Sequence, residues 1–406
     1  MSKTPTFVIL GSSTAGAFAA VTLRKEGFAG RVILIGEEKE IPYARPPLSK
    51  QYLQRERERE RLHLWPNEFY SERKIELRLG ARARRVIPRE KEIEMENGER
   101  LRFDHLLIAT GMAPRRLALP GSDLPNIFYL RTLEDSDRIA EACQPGSRAV
   151  IIGGGFIGME VAASLRQKQV DVAVIHRDKV ALERAIGIEA GRILTEYHRQ
   201  EGVNFYPEAE ASEIEGNGRA ERLHLRSGHS VECDNVIVGI GATPRIETLE
   251  GSGIETNNGI LVDEFCRTNI EGISAAGDVA HFRHPRIHGR IHVEHWDNAR
   301  LHGIAAANNM LGRHIPYSPV PFFWSDQFDV NIQYAGFPLE WSKSVHRGST
   351  EEQSFSAFML GGNKLVAGVC FNRWKDRRVC EKLLSQDATV DPAKLRDEEF
   401  DLEGFL

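Results

Sequence analysis

The hydrophobic pattern near the N-terminus is that of a strand, a helix and a second strand. The run TFVIL at residues 6–10 is short and almost wholly apolar, as expected of a buried parallel strand. A glycine-containing turn follows, and then a segment of helical periodicity that ends near Gly27. A second apolar run, RVILIGEE, closes on two acids. The pattern predicts a βαβ unit.

The segment from Ser147 to Arg177 repeats this plan with the sequence SRAVIIGGGFIGMEVAASLRQKQVDVAVIHR. Short alternating stretches after each unit, one of them with an Asn-Gly turn at Asn97, predict antiparallel hairpins. From about Pro321 the pattern changes to strand-like runs followed by the helical segment KDRRVCEKLLSQ. The chain is therefore predicted to be α/β, with two nucleotide-binding lobes and a C-terminal α+β domain.

Composition narrows the class of protein. The chain has 406 residues, which predicts two or three domains, and its net charge of −5 gives no reason to expect nucleic acid. No apolar run is long enough to span a bilayer, and the N-terminal apolar stretch is too short for a signal peptide, so we expect a cytoplasmic protein without a membrane span. The cysteines are scattered and form no close pair, which favours reduced, buried thiols.

The second glycine turn has the full dinucleotide fingerprint G-x-G-x-x-G at Gly153, Gly155 and Gly158. The first glycine allows the tight turn, the second lets backbone amides approach a pyrophosphate, and the third lets helix and strand pack closely. The start of the following helix presents a partial positive charge to the phosphates.

The first glycine turn departs from this rule. Gly11 and Gly16 are present, but Ser13 occupies the middle position. A serine is tolerable there if its backbone keeps a negative φ, and its hydroxyl could donate to a phosphate. Glu37, at the end of the next apolar run, suits a carboxylate that accepts hydrogen bonds from ribose hydroxyls, although it could also be a solvated turn residue.

The second unit has no acid at the position equivalent to Glu37, but His176 and Arg177 instead. A carboxylate would repel a 2′-phosphate, whereas an arginine binds one through charge-assisted hydrogen bonds. The second site is therefore predicted to favour NADPH over NADH.

Two further glycine turns, ATGMAPR and GIGATPR, each end a buried strand and close one lobe. The segment AAGDVA then places Asp278 after a small-residue strand and a glycine, where we expect it to open a helix and to bind a ribityl hydroxyl.

Together, GSSTAG, PYARPPLSK, ATGMAPR, GGGFIGMEVA, GIGATPR, AAGDVA, VEHWDNARLHG and PFFWSDQFD resemble FAD-dependent pyridine-nucleotide reductases of the ferredoxin-reductase type. This class serves oxygenases and cytochromes P450 and is related to apoptosis-inducing factor. The resemblance runs from about Thr6 to the C-terminus. It implies two Rossmann-like domains of the glutathione-reductase type, with FAD bound by residues 1–112 and 241–318, NADPH or NADH by 113–240, and a C-terminal α+β interface domain at 319–406.

The resemblance also implies which residues contact the cofactors. Beyond the positions named above, they are Thr14, Ala15, Arg45, Ala109, Thr110, Gly111, Arg131, Phe156, Ile157, Gly241, Gly277, Glu294, His295 and Trp296.

Disulfide reductases of this plan carry a redox cysteine pair near residues 40–53, whereas this chain has EIPYARPPLSKQYL. The resemblance implies that Arg45 and Lys50 approach the isoalloxazine and that Lys50 pairs with Glu160. A fixed cation there favours reduced, anionic flavin, and the prolines restrict the loop. The alternative for Glu160 is an exposed helix face.

The segment HVEHWDNARLHGIAAANNML predicts a helix whose first turn, His295 and Trp296, faces the flavin by family analogy. Trp296 could relay electrons or simply pack, and packing is the simpler reading for Trp324.

Residues 281–295 contain five histidines, but their spacing fits no zinc module, so no metal is predicted. The basic stretch at residues 73–89 could steer an acidic ferredoxin or be a solvated surface.

The predicted protein is thus an FAD enzyme that oxidises NAD(P)H and passes electrons one at a time to a ferredoxin or Rieske-type iron–sulfur protein. One alternative is an oxidoreductase with a small acceptor such as a quinone, oxygen or a radical. The other is a redox-dependent interaction protein like apoptosis-inducing factor. The state of association, monomer or homodimer, stays open.

Overall fold

The structure is a computed structural model that describes residues 4–287, 289–337 and 339–406. The N-terminal part contains helices α1 (Thr14–Lys25) and α2 (Asn67–Glu72) and strands β1 (Thr6–Leu10), β2 (Arg31–Ile35), β3 (Ile75–Arg78), β4 (Ala83–Ile87), β5 (Glu92–Met95), β6 (Arg100–Arg102), β7 (His105–Ile108) and β8 (Met112–Pro114). The middle part contains α3 (Leu133–Ala142), α4 (Phe156–Gln167), α5 (Glu183–Gln200), β9 (Ile127–Tyr129), β10 (Arg148–Ile152), β11 (Asp171–Ile175), β12 (Asn204–Tyr206), β13 (Ala211–Glu215), β14 (Arg222–Leu225), β15 (Ser230–Glu232), β16 (Asn235–Val238) and β17 (Ala242–Pro244). The last part contains α6 (Trp296–Met310), α7 (Trp374–Gln386), α8 (Pro392–Arg396), β18 (Ile260–Val262), β19 (Ile273–Ala275), β20 (Ala280–Arg283), β21 (Arg290–His292), β22 (Phe322–Gln327), β23 (Val330–Gly336), β24 (Lys343–Ser349), β25 (Ser354–Gly361) and β26 (Lys364–Phe371).

The chain divides into two compact units. Unit 1 runs to Ala44 and continues with Glu60–Ala113 and Thr243–Pro321, and unit 2 comprises Arg45–Arg59, Pro114–Ala242 and Phe322–Leu406. The predicted three-domain boundaries stay a prediction.

Unit 1 is built on a parallel sheet of order β19-β7-β1-β2-β3. Every residue of β1 and β2 after the first is apolar and buried, as in strands that are covered on both faces of the sheet. Helices α1 and α6 pack against each other, and their small residues allow the close approach. The carboxyl ends of β1, β2 and β19 therefore present their turns at one edge of this sheet, which is the edge where such sheets bind ligands.

Unit 2 contains a second parallel sheet of order β12-β11-β10-β16-β9 and an antiparallel sheet of order β22-β23-β26-β25-β24. One apolar core joins them, since Val161 and Leu194 of the helices cluster with Ile332 and Phe371 of the antiparallel sheet. Leu53 lies in the same core, which explains why the loop at 45–59 packs in unit 2. The predicted fold class, two Rossmann-like α/β parts and a C-terminal α+β part, is confirmed.

A buried arginine holds the C-terminal segment onto the antiparallel sheet. Arg347 of β24 is 6% exposed, and its guanidinium donates to the backbone carbonyls of Asp397, Glu398 and Phe400, the last two at 3.1 and 3.0 Å. Its Nε lies 3.8 Å from the carboxylate of Asp376. The rigid fork of donors suits several acceptors at once, which a lysine could not serve.

We expect Arg347→Ala to release the segment beyond Pro392, because four backbone carbonyls, those of Leu395, Asp397, Glu398 and Phe400, lose their charged donor. The free energy of unfolding should fall by about 2–4 kcal/mol, the range for loss of a buried charged hydrogen-bonding partner. Thermal unfolding and limited proteolysis would measure this. Arg396→Ala, an exposed arginine on the same segment, is the control and should change neither. Equal stability of the two variants would contradict the role of Arg347 in holding the C-terminal segment on the sheet.

Candidate functional site

The first glycine turn of unit 1 is packed so closely that only glycine fits at two positions. Gly11 has φ +120°, and a Cβ there would lie 2.1 Å from the carbonyl oxygen of Ala109. A Cβ on Gly16 would lie 1.9 Å from the carbonyl oxygen of Gly11. Ser13 is the N-cap of α1 with φ −83°, so the serine carries no backbone strain.

This turn fits the pyrophosphate of FAD. Thr14 and Ala15 form the buried start of α1, whose first turn contains no acidic residue. The amides of a helix start have no intrahelical partners and carry a partial positive charge, so they suit an anion. The small side chains of Ala15, Ala109 and Ala299 pack together beside the turn.

Glu37 follows β2, as the ribose-binding acid of such a site does, but it also has protein partners. Its carboxylate accepts a hydrogen bond from Arg245 and lies 3.6 Å from Nε of Arg82. Arg245 belongs to the turn that Thr110 and Gly111 close, because Thr110 donates to the Arg245 carbonyl at 2.7 Å and the Arg245 amide donates to the Gly111 carbonyl. Any ribose hydroxyl would share Glu37 with two guanidinium groups.

Asp278 does not open a helix, so that prediction is wrong. It lies in a turn after Gly277, and the chain continues into β20, which pairs with β18 and β21. The alternation of buried Ala280 and Phe282 with half-buried and exposed neighbours favours a strand here. The Gly277 amide donates to Nδ1 of His302 at 3.3 Å, and the Asp278 carbonyl bonds to His292.

The predicted helix after residue 295 is present as α6, with His295 as its N-cap. Burial lowers the pKa of His295 to about 4, so its ring is neutral. Trp296 meets the edge of Phe18, whose ring meets Trp65 at 4.9 Å, and this cluster supports the packing role for Trp296. Glu294 is half exposed and lies 4.0 Å from Nδ1 of His292.

The second glycine turn, in unit 2, repeats the same contacts. A Cβ on Gly153 would lie 2.2 Å from the Gly239 carbonyl oxygen, and one on Gly158 would lie 2.0 Å from the Gly153 carbonyl oxygen. Gly155 is different, because it has φ −81° and nothing within 4 Å of its would-be Cβ. The protein therefore leaves open space at the start of α4, beside Phe156 and the exposed Ile157. A nicotinamide dinucleotide fits this turn.

His176 supports this turn from inside. Its Nδ1 accepts from the Gly154 amide at 3.2 Å and its Nε2 donates to the Val180 carbonyl at 2.9 Å, so both nitrogens are used. Burial lowers its pKa, so the ring is neutral and adds no charge for a 2′-phosphate. Arg177 is exposed and lies 3.1 Å from Glu210, which Arg226 also contacts at 3.1 Å.

The loop at residues 45–59 presents a buried ion pair instead of sulfur. Nζ of Lys50 lies 3.0 Å from Oε1 of Glu160, and the two side chains are 7% and 5% exposed. Ser49 donates to the other carboxylate oxygen, and Ser325 of β22 donates to Oε1 at 2.7 Å. Glu160 is therefore buried and not on an exposed helix face. Lys50, Ser49 and Ser325 together compensate the negative charge of its carboxylate.

Neighbouring contacts fix this loop. Arg45 precedes a 3-10 turn at Pro46–Ser49, and its guanidinium donates to the Arg131 carbonyl. The hydroxyl of Ser164, on the same helix as Glu160, donates to the Ser49 carbonyl at 2.7 Å.

In the other closing turn, Gly241 has φ +98° and its carbonyl accepts from the Arg115 amide.

Ser325 is the site residue that sequence reasoning missed. The alternation in FFWSDQ puts Phe323, Ser325 and Gln327 on one buried face of β22, and this could have marked the serine and glutamine as buried polar residues. Nothing in the pattern identifies Glu160 as their partner. Trp324, on the other face, stacks on Phe322.

The remaining groups that the sequence singled out are the histidine-rich segment, the cysteines and the basic stretch at residues 73–89. Within residues 4–287, 289–337 and 339–406 no group of His, Cys, Asp and Glu could hold a metal ion, and His288 lies outside the described residues. All five cysteines are buried, and burial raises the pKa of each thiol. Much of the basic stretch is neutralised, since Arg78, Arg82, Arg84 and Arg85 pair with glutamates.

A dinucleotide turn in each unit, a buried cation and no thiol pair among the described residues define a flavin- and nicotinamide-dependent reductase. The chain belongs to the pyridine nucleotide-disulphide oxidoreductase family, whose model matches residues 5–303, and a reductase C-terminal domain matches 322–406. The predicted class, oxidoreductase activity and cofactors, FAD and NADPH or NADH, are confirmed.

Named relatives extend over nearly the whole chain. The ferredoxin–NAD(+) reductase component of the p-cumate 2,3-dioxygenase system of Pseudomonas putida is 37% identical over 391 residues, or 96% of each chain. Rhodocoxin reductase of Rhodococcus erythropolis is 36% identical over 397 residues, covering 98% of this chain and 93% of the relative.

Solved structures give the same result. The ferredoxin reductase of the CYP199A2 system of Rhodopseudomonas palustris superposes with a TM-score of 0.95 at 34% identity, covering 98% of this chain and 99% of that one. The reductase in the covalent putidaredoxin reductase–putidaredoxin complex gives a TM-score of 0.95 at 29% identity, with 99% and 98% coverage.

The open space at Gly155 makes a sharp test of coenzyme binding. We expect Gly155→Ala to leave the unfolding temperature unchanged, because φ −81° and the empty surroundings accept a Cβ. The KM for NAD(P)H should rise about tenfold or more, because the methyl group takes space that the pyrophosphate needs. Gly158→Ala, whose Cβ meets a carbonyl, should lower the unfolding temperature. An unchanged KM in Gly155→Ala would place the dinucleotide elsewhere.

Proposed function

We propose that the protein is an NAD(P)H-dependent ferredoxin reductase that passes electrons to a ferredoxin or Rieske-type iron–sulfur protein. The observation that carries this proposal is the buried Lys50–Glu160 pair where thiol-using reductases of this plan have cysteines. With every thiol buried, no described cysteine pair can take electrons from the cofactor. The electrons must therefore leave to an external acceptor.

Bound FAD would supply the redox chemistry that divides a two-electron hydride from the nicotinamide into single electrons. The residues of this chain bind and orient. The helix starts after Ser13 and at Gly155 hold the two pyrophosphates, and Glu37 and Asp278 hold hydroxyls. Lys50 would supply a fixed positive charge that stabilises the reduced cofactor, and the family resemblance assigns contacts with the flavin to Arg45, Arg131, His295 and Trp296. No residue needs to act as acid, base or nucleophile, since hydride transfer depends on positioning.

The partner and the location follow from the same proposal. One named relative is the ferredoxin–NAD(+) reductase component of a dioxygenase system, and one structural neighbour is a reductase held covalently to putidaredoxin. No helix in the described part of the chain is long and apolar enough to cross a membrane. We propose a cytoplasmic enzyme, and monomer or homodimer both stay open.

Stopped-flow mixing tests the electron acceptor. We expect NAD(P)H to bleach the flavin absorbance, and a [2Fe–2S] ferredoxin added next to reoxidise it rapidly while the ferredoxin becomes reduced. Rapid reoxidation by a quinone or by oxygen, with no effect of ferredoxin, would favour the small-acceptor alternative. A reduced complex that persists with all three would favour the interaction protein. Either result contradicts the proposal.

The coenzyme preference now depends on Arg177, because His176 is neutral and fully bonded. We expect Arg177→Ala to raise the KM for NADPH about tenfold relative to the KM for NADH, through loss of one charge-assisted contact to the 2′-phosphate. Steady-state kinetics with both coenzymes measure the ratio, and Arg192→Ala, an exposed arginine of α5, is the control. An unchanged ratio in Arg177→Ala would remove the predicted preference for NADPH.

A further inference from the structure

Glu160 is the end of a longer chain of buried hydrogen bonds. Ser325 donates to Glu160 at 2.7 Å, the Gln327 amide nitrogen donates to Oγ of Ser325 at 2.9 Å, and Nε2 of His198 lies 2.8 Å from the Gln327 amide oxygen. Ser325, Gln327 and His198 are all 0% exposed, and Glu160 is 4% exposed. The chain connects α4, β22 and α5 through the interior of unit 2.

The carboxylate fixes the direction of every bond in this chain. An ionised carboxylate only accepts, so Ser325 must donate its hydroxyl proton to Glu160. The Ser325 oxygen then accepts from the Gln327 amide group, which leaves the Gln327 oxygen to accept from His198. Each donor therefore points toward Glu160, and bonds aligned in this way strengthen one another.

His198 can only serve this chain as a neutral donor. Burial lowers its pKa to about 4, so the ring carries one proton near neutral pH. That proton lies on Nε2, and the buried Nδ1 has no hydrogen-bond partner among the residues that the structure describes. Its ring packs against Phe328, with centroids 5.0 Å apart.

A buried series of hydrogen bonds such as this one is not the arrangement that gives the largest free energy of unfolding. It passes through the apolar core formed by residues such as Val161, Val330 and Ile332, and an unpartnered buried acceptor costs about 1–3 kcal/mol. Apolar side chains in these places would pack without that cost. This series of hydrogen bonds is better explained by its effect on the position and charge of the Glu160 carboxylate.

We propose that Ser325, Gln327 and His198 are positioning residues that hold the Glu160 carboxylate and share its negative charge, so that Lys50 keeps part of its positive field. Without these donors only the Lys50 ammonium and the Ser49 hydroxyl would compensate Glu160, and the two charges would cancel more fully for any neighbouring group. This inference rests on the proposed function of Lys50 beside FAD.

Ser325→Ala tests the proposal. We expect the reduction potential of bound FAD to fall, because the added electrons meet a weaker positive field, and to fall by less than in Lys50→Ala, which removes the positive charge itself. Flavin reduction at saturating NAD(P)H should slow about tenfold, the factor set by one hydrogen bond to a charged group. Dye-linked redox titration and stopped-flow absorbance measure the two effects.

Ser356→Ala is the matched control, because Ser356 is also 0% exposed and also donates to a carboxylate of unit 2, that of Asp376 at 2.8 Å. It should leave the potential and the rate unchanged. Ser325→Thr keeps the hydroxyl and should restore both. FAD content and unfolding temperature, measured for each variant, separate an effect on Glu160 from a general loss of structure.

Two outcomes would overturn the inference. One is a potential and a rate in Ser325→Ala that equal those of Ser356→Ala. The other, decisive if Ser325→Ala does not fold, is a wild-type potential in Gln327→Met, which removes both amide bonds and keeps the side-chain length. The redox titration needs neither coenzyme nor acceptor. A wild-type protein that fails to reduce ferredoxin would therefore refute the proposed function without deciding the role of this chain.

Discussion

The salt bridge between Lys50 and Glu160 is the constraint on which the arrangement of unit 2 depends. Removing two charges from water costs several kcal/mol per ion, and only good geometry with further hydrogen bonds offsets that cost. Here the compensation comes from three separate stretches of chain: the loop with Ser49, helix α4 and strand β22. The ion pair thus requires the loop, helix α4 and the antiparallel sheet to keep fixed positions within unit 2.

The glycine turns illustrate what a local pattern can predict. Gly11, Gly16, Gly153 and Gly158 each face a backbone carbonyl at a distance no side chain tolerates. Gly16 and Gly158 meet the first glycine of their own turn, and Gly11 and Gly153 meet the neighbouring turn of the same unit, yet the spacing of the glycines alone marks all four positions. The strands and helices around them also follow from short-range periodicity. The fold class and the two glycine turns were therefore predictable from the sequence.

Long-range contacts were not predictable in the same way. His176 was predicted, together with Arg177, to belong to the coenzyme site, and the pattern gave no sign that its ring nitrogens bond to the backbone of Gly154 and Val180. The helix expected at Asp278 is a turn, because β20 finds partner strands distant in sequence. The basic stretch is largely neutral, since arginines such as Arg85 lie opposite glutamates across a hairpin. In each case a deciding partner lies on another element or loop, so the periodicity of a single element does not reveal it.

The position of Ser325 and Gln327 bears on how this architecture can be recombined. The C-terminal sheet is matched by its own domain model, which invites its exchange between related reductases as an independent module. Yet its first strand supplies the hydroxyl and the amide that reach a carboxylate on α4. A chimera that joins a foreign C-terminal sheet at residue 322 must carry equivalent groups at these two places, or it will leave a half-satisfied anion in its interior.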